Sequence, residues 1–275
     1  MSWKGIRIAT YNIHKCVGID RRTSVERIAR VLHELDADIV ALQEVVVEKA
    51  AGNSPGVLVE PAMSFIRNSL GRLGQRPERG ARDQAEHLAA LTGLAVVVGP
   101  AIDLPGHVYG NVVLTRLPIV GYENFDISAH RREPRACLRV DVAIPGGGAL
   151  HLYNTHFGTS HPERVEQSRR LVESGILAGS HPEHPQVLVG DFNDWFAGAP
   201  TRLLGDHFHE ATRRLKPTYP SVAPVLRLDR IYVNHHVRVR RVEAHGSRVA
   251  RVASDHIPIV AVLDAAQRSR HSDTE

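Results

Sequence analysis

The feature that most constrains this chain is a short apolar run that ends, again and again, on polar or turn residues. Ile39-Val40-Ala41-Leu42 ends at Gln43-Glu44, Val112-Val113-Leu114 at Thr115-Arg116, and Leu150 to Tyr153 at Asn154-Thr155-His156. Val187-Leu188-Val189 ends at Gly190-Asp191-Phe192-Asn193, and the run from Leu228 to Val233 carries Asp229. Near the N-terminus, Ile6, Ile8 and Ala9 lead into Thr10-Tyr11-Asn12. Unbroken apolar runs of this length suit strands covered on both faces. Leu138-Arg139-Val140-Asp141-Val142 alternates instead, which predicts a strand with one face in solvent.

Helical patterns interleave with these strands. Thr23-Ser24 caps a predicted helix carrying Ile28, Val31, Leu32 and Leu35, with Glu26 in its first turn. Gln84 to Leu91 and Glu163 to Leu177 also read as helices, the second opened by Pro162 at a tolerated first-turn position. No convincing linker interrupts the alternation, so residues 1–265 are expected to form one domain, and the polar tail 266–275 is expected to be disordered. The stretch from Lys49 to Arg82 stands apart, rich in Gly, Pro and Arg. Within it Met63, Ile66, Leu70 and Leu73 fall at helical spacing, and Arg67, Arg72, Arg76 and Arg79 occupy or follow the other face. It reads as an insertion, either a surface loop or part of a substrate-binding rim.

Composition narrows the classes. At 43% hydrophobic the chain can build a sizeable core, yet no apolar run approaches the roughly 18 residues that would span a bilayer. The first residues carry no secretory pattern, and two cysteines, Cys16 and Cys137, cannot form a disulfide framework. The expected address is cytoplasmic, and no obligate protein partner is evident. A net charge of +4 suits an anionic partner without selecting one. Basic clusters occur at Arg131-Arg132-Glu133-Pro134-Arg135 and from Arg238 to Arg251, the second equally readable as a solvated strand face.

The strand ends carry the chemistry. Hard cations such as Mg²⁺ prefer carboxylate and amide oxygens, for which Glu44, Asp255, Asp191 and Asn12 are the right residue types. A phosphoester also needs a base or positioner for water and donors for its oxygens, for which His156, Asn193 and His256 qualify. Singly, each has a plainer reading: Asp-Phe-Asn is a common turn, and a strand-end His usually serves structure. Their order and number change that balance.

In that order the sequence resembles the endonuclease/exonuclease/phosphatase superfamily, which includes deoxyribonuclease I, apurinic endonucleases, bacterial sphingomyelinases and inositol polyphosphate 5-phosphatases. The matching pieces are Thr10-Tyr11-Asn12-Ile13, Ala41-Leu42-Gln43-Glu44, Gly110-Asn111 with Leu114-Thr115-Arg116, Asn154-Thr155-His156, Gly190-Asp191-Phe192-Asn193, Leu228-Asp229-Arg230-Ile231 and Ser254-Asp255-His256. The resemblance implies a four-layer α/β/β/α sandwich of two mixed sheets flanked by helices, with the site at one end of the sheets. It implies that Glu44 ligates Mg²⁺, or Mn²⁺ in its place, with Asn12 and Asp255 as ligands or ligand supports. Asp191 would position or deprotonate water, with Asn193 contacting the phosphate. His256, oriented by Asp229, would stabilise charge or shuttle a proton, and His156 would be a second phosphate-facing imidazole.

Two departures bear on these roles. Some apurinic-type members have Asn-x-Asp at the first piece, where this chain has Asn12-Ile13-His14. Deoxyribonuclease I supports its first His with a Glu, where this chain has Gly110-Asn111, which makes Asn111 a substitute contact for His156. With Arg135 of the basic cluster, Asn111 is a candidate substrate-binding residue.

The expected activity is metal-assisted attack of water on a phosphodiester, with nucleic acid or a phospholipid headgroup as substrate. A phosphomonoesterase of the same fold, or a binding module that kept the fold and lost the reaction, are the alternatives. Trp195, directly after the Asp191 to Asp194 stretch, reads as a residue packing over the loop, with stacking on a substrate as the other option.

Overall fold

A computed structural model describes residues 5–49, 83–177, 183–196 and 198–265. All of the Lys49–Arg82 insertion except Lys49, and the 266–275 tail, lie outside the described residues. The chain first lays down β1 (Ile6–Asn12), α1 (Val25–Leu35), β2 (Ile39–Glu48), α2 (Gln84–Thr92), β3 (Ala95–Leu104) and β4 (His107–Thr115). It crosses over to β5 (Ile119–Asp126), β6 (Ala136–Ala143), β7 (Ala149–His156), α3 (His161–Glu173), β8 (Gln186–Asp191), α4 (Ala199–Gly205), β9 (His209–Glu210) and β10 (Asp229–Val233). It then returns with β11 (Val237–Ala244), α5 (Ala250–Ala253) and β12 (Ile259–Ala265).

These strands form two six-stranded mixed sheets. The first has the order β11-β12-β1-β2-β4-β3 and the second β5-β6-β7-β8-β10-β9. Each holds one parallel pair, β1 with β2 and β7 with β8, bridged by α1 and α3 respectively. Alternation along β1 explains the layering: Ile6 and Ile8 enter the core between the sheets, while Ala9 and Tyr11 face α1 and α2. The inter-sheet core joins Ile8, Ile39, Val97 and Val113 to Val140, Leu152, Val189 and Ile231, all fully buried. On the far side Tyr153, Leu188 and Tyr232 pack with Leu171 of α3 and Leu204 of α4. The architecture is therefore the α/β/β/α sandwich.

Local chemistry sets the element ends. Ser24 caps α1 by accepting from the Arg27 N–H at 3.1 Å, and Ile28, Val31, Leu32 and Leu35 form its buried stripe. The helix read to Leu177 stops at Glu173, because Gly175 turns the chain with a φ of 80°. β6 corrects another expectation. Leu138, Val140 and Val142 do face the core, but the opposite face is covered too. There Asp141 is buried and accepts from His151 Nδ1 at 2.5 Å, while Arg139 Nε lies 3.3 Å from it. The exposed arginines Arg238, Arg240 and Arg241 lie on β11, the edge strand of the first sheet.

Candidate active site

The site lies where β1, β7 and β8 finish and β2 is interrupted, at the seam between the sheets. β2 does not stop at Glu44, as the apolar run implied, but bulges there and continues to Glu48. Its pairing with β4 breaks between Leu42 and Val45, and Glu44 adopts a φ of 60°. A bulge re-aims side chains. Gln43 turns inward, donating to Asn154 Oδ1 at 2.7 Å and Thr10 Oγ1 at 3.1 Å, and Glu44 turns to the site. Asn154 answers by donating to Leu42 O at 2.9 Å and Val112 O at 3.0 Å. The two sheets are thus tied by buried amides directly beneath the functional residues.

Asn12 joins the two carboxylates. Its Oδ1 accepts from the His14 N–H at 3.0 Å, so its Nδ2 faces the site and donates to Glu44 Oε1 and Asp191 Oδ2, each at 3.1 Å. Oriented this way, Asn12 holds the two carboxylates rather than presenting its own oxygen to the site. Beyond it, His14, Lys15 and Cys16 are all left-handed. That turn sets Lys15 Nζ 3.2 Å from Glu44 Oε2 and His14 Nδ1 3.7 Å from Asp255 Oδ1. Burial raises the cost of ionising Glu44, yet the His156 ring, Lys15 and the Asn12 amide hold its carboxyl down at about 2. Burial also holds His156 below the ordinary histidine value. At neutral pH, Lys15 and Asn12 therefore carry the effect on Glu44.

Asp191 is the hub of the second half. Gly190 lets β8 approach β7: a Cβ there would lie 1.8 Å from Thr155 O. Asp191 Oδ1 accepts from the Asn193 N–H at 2.9 Å. Its Oδ2 lies 3.7 Å from His156 Nε2 and 3.6 Å from His256 Nε2. Asn193, at a φ of 48°, donates to Phe157 O at 2.9 Å and places the same amide 3.3 Å from His156 Nε2. His256 donates through Nδ1 to Asp229 Oδ2 at 2.9 Å, and Thr218 donates to that oxygen at 2.5 Å. Desolvation disfavours the His256 cation, but Asp229, Asp191 and Asp255 outweigh it and raise the ring to about 10.

Asp191, Asp229 and His256 offer ligand atoms within 4.8 Å of one another. Both carboxylates already engage the ring and raise it, which favours a shared proton over a metal ion in this trio. The Glu44 side better fits a hard divalent cation: it offers an ionised carboxylate against which an ammonium already rests.

The remaining candidates are less central. Asn111 spends its amide hydrogens on Ala136 O at 2.9 Å and Asn154 O at 3.3 Å, tying the sheets instead of supporting His156. It does line a small pocket with Tyr109, Arg135 and His156. Arg135 is buried there, paired with Glu133 at 2.6 Å, and its Nε has no hydrogen-bond partner. Arg116 lies at the opposite end of the sandwich, paired with Asp36 at 2.9 Å. Trp195 does not pack over its loop: it is 52% exposed. Sequence reading missed Lys15, Thr218 and Tyr219, whose ring centroid lies 4.8 Å from that of His256. Cys16 and Cys137 are free and buried.

Comparison with known proteins agrees with this geometry. Residues 9–256 match the model of the Endonuclease/Exonuclease/phosphatase family. Over 267 residues the chain is 32% identical to protein YbhP of Escherichia coli (strain K12), covering 94% of this chain and 95% of YbhP. The fold is shared with the endonuclease/exonuclease/phosphatase from Beutenbergia cavernae DSM 12333, at a TM-score of 0.72 and 23% identity over 96% of this chain and 72% of that one. It is shared too with the mannosyl-6-phosphatase Bt3783 of Bacteroides thetaiotaomicron VPI-5482, at a TM-score of 0.68 and 19% identity over 94% and 99%.

Proposed function

The chain belongs to the Endonuclease/Exonuclease/phosphatase family, and from that premise we propose that it hydrolyses a phosphodiester with the help of Mg²⁺ or Mn²⁺. The substrate class is nucleic acid or a phospholipid headgroup. One observation carries the reading: Asp191 Oδ2 lies within 3.7 Å of both His156 Nε2 and His256 Nε2, while Asp229 holds the other side of the His256 ring.

Glu44 would hold the cation, with Asp255, which faces His14, as a further ligand and Asn12 fixing the Glu44 carboxylate. When bound, the ion supplies positive charge to the phosphate oxygens. His256 is protonated at neutral pH and cannot accept a proton, so Asp191 is the base that takes one from water. The Asn193 N–H fixes one oxygen of that carboxylate, leaving the other directed at the site. The water oxygen bonds to phosphorus, the ester P–O bond breaks, and the leaving alcohol takes a proton from solvent. Through that step His256 Nε2–H meets the charge that develops on the phosphate, and Asp229 keeps the ring cationic and oriented. His156, held neutral by burial, offers a hydrogen bond.

The test is hydrolysis of a chromogenic phosphodiester and its phosphomonoester counterpart with Mg²⁺ or Mn²⁺, with chelator, and with Asp191→Asn. Metal-dependent cleavage of the diester, lost in the variant, is expected. No cleavage of either ester with metal, or undiminished cleavage in excess chelator, would sink the reading.

A further inference from the structure

We propose that the active-site end of the sandwich docks on an anionic phospholipid surface, which presents a headgroup phosphoester to the site. This assignment rests on the hydrolase reading above and narrows its substrate class.

The motivating observation is where the exposed apolar side chains lie. Among the described residues, nine large hydrophobics are exposed: Leu91, Val120 and Tyr122, and six others, Ile19, Leu104, Trp195, Phe196, Val222 and Val225. The six share one end. Ile19 is in the loop after β1, bonded through its N–H to Val252 O at 3.1 Å. Leu104 is at the β3–β4 turn, on the same side as Glu48 of β2. Trp195 and Phe196 follow β8, and Val222 and Val225 precede β10. Singly scattered surface hydrophobics need no explanation, but six on the loops around one site do.

These loops are built to hold apolar groups in water. The turn bearing Trp195 and Phe196 grows from buried Asp194, whose Oδ2 accepts from Thr201 Oγ1 at 2.7 Å and whose carbonyl accepts from Arg230 Nη2 at 2.5 Å. At its tip Phe196 is 85% exposed. The 219–226 hairpin is fastened to the catalytic loop by the Ser221 N–H on Asp255 O at 2.7 Å and by Ser221 Oγ on Ser254 O at 2.8 Å. Beyond those anchors Val222 and Val225 stand 58% and 70% exposed.

Charge is complementary to an anionic surface. Arg131, Arg132, Arg213, Arg214 and Lys216 are exposed on loops at this end. Two acids there are neutralised, Asp20 by Arg27 at 3.0 Å and Glu133 by Arg135 at 2.6 Å. Apolar tips among basic residues are the pattern of an interfacial surface. Nucleic acid would call for rings on which bases stack, yet four of the six tips, Ile19, Leu104, Val222 and Val225, are aliphatic.

The experiment floats the full chain with phosphatidylglycerol/phosphatidylcholine vesicles and with phosphatidylcholine alone. Trp3→Phe leaves Trp195 as the reporter, since the chain has 2 tryptophans. Expected are flotation with the anionic vesicles, a blue shift of Trp195 emission, and about tenfold weaker binding in Phe196→Ser/Val225→Ser. That double variant should lose cleavage of vesicle-borne phosphodiester and keep cleavage of a soluble chromogenic one. Soluble-ester activity without vesicle binding overturns the docking proposal and leaves the hydrolase standing. Vesicle binding without hydrolysis of any ester supports docking and overturns the hydrolase. A Trp195 shift produced by single-stranded oligonucleotide and not by vesicles overturns docking in favour of nucleic acid.

Discussion

His256 is gripped on one side by Asp229, 2.9 Å from Nδ1, and faces Asp191 on the other, 3.6 Å from Nε2. One ring therefore answers to two carboxylates on adjacent strands, paired in register at Asp191 and Asp229. That pairing raises the ring despite its burial, which is the reason the proposed reaction assigns the base to Asp191.

Replacing Asp229 with Asn removes the charge and keeps the shape. The His256 pKa is expected to fall towards the ordinary histidine range, and hydrolysis to drop by roughly 10²-fold. Adding His256→Ala should cost little more, because the two act as a unit. An NMR titration of the ring and kcat for the single and double variants check this; losses that multiply would mean independent action.

Stability should carry the same signature. The folded pKa of His256, about 10, lies above the ordinary value of about 6.5. Its contribution is complete below about 6.5 and is lost as pH rises through 10. The Tm is expected to fall over that window, and to fall less in His256→Gln. Thermal melts at stepped pH are the measurement, and parallel profiles for the two proteins would count against it.

Glu44 works in the opposite sense. Its carboxyl is depressed to about 2, so its contribution is present above the unfolded value of about 4.3 and lost as pH falls through 2. Glu44→Gln is expected to abolish Mg²⁺ or Mn²⁺ binding by calorimetry and leave the circular dichroism spectrum unchanged. Unaltered metal affinity would move the cation elsewhere.

Much of this was legible in the sequence, for a physical reason. Strands covered on both faces must be apolar throughout, so the polar residue ending each run stands out, which makes Asn12, Glu44, His156 and Asp191 candidates, whereas Asp229 lies inside its run and comes from the family resemblance. What the sequence hid depends on contacts made across long separations. The polar face of β6 looked solvated because nothing local reveals that His151 covers Asp141. Thr218 bonds Asp229 from a loop without a motif, and Lys15 reaches Glu44 through a left-handed turn that its residue types do not announce. Asn111 had the right type for a contact with His156, but two carbonyls claim its hydrogens.

The amide ties between the sheets should dominate local stability. Asn154→Leu takes the shortest acceptor from the Gln43 amide and the side-chain donor from two carbonyls in a dry interior, and a loss of about 3 kcal/mol or more is expected from denaturant melts. A change under about 1 kcal/mol would show that water replaces the lost bonds.

The pairing of β1 with β12, Ile6 opposite Leu263, has a consequence for the order in which the molecule is made. The second sheet is one continuous stretch, 119–233, and can close while the ribosome is still translating. The first sheet cannot, because β1 waits between β2 and a strand synthesised after every other described strand. Asn12 and Glu44 emerge early and His256 late, so a nascent chain carries half a site until its final strand leaves the exit tunnel. Activity should therefore switch on in a single late step of synthesis rather than accrue with chain length.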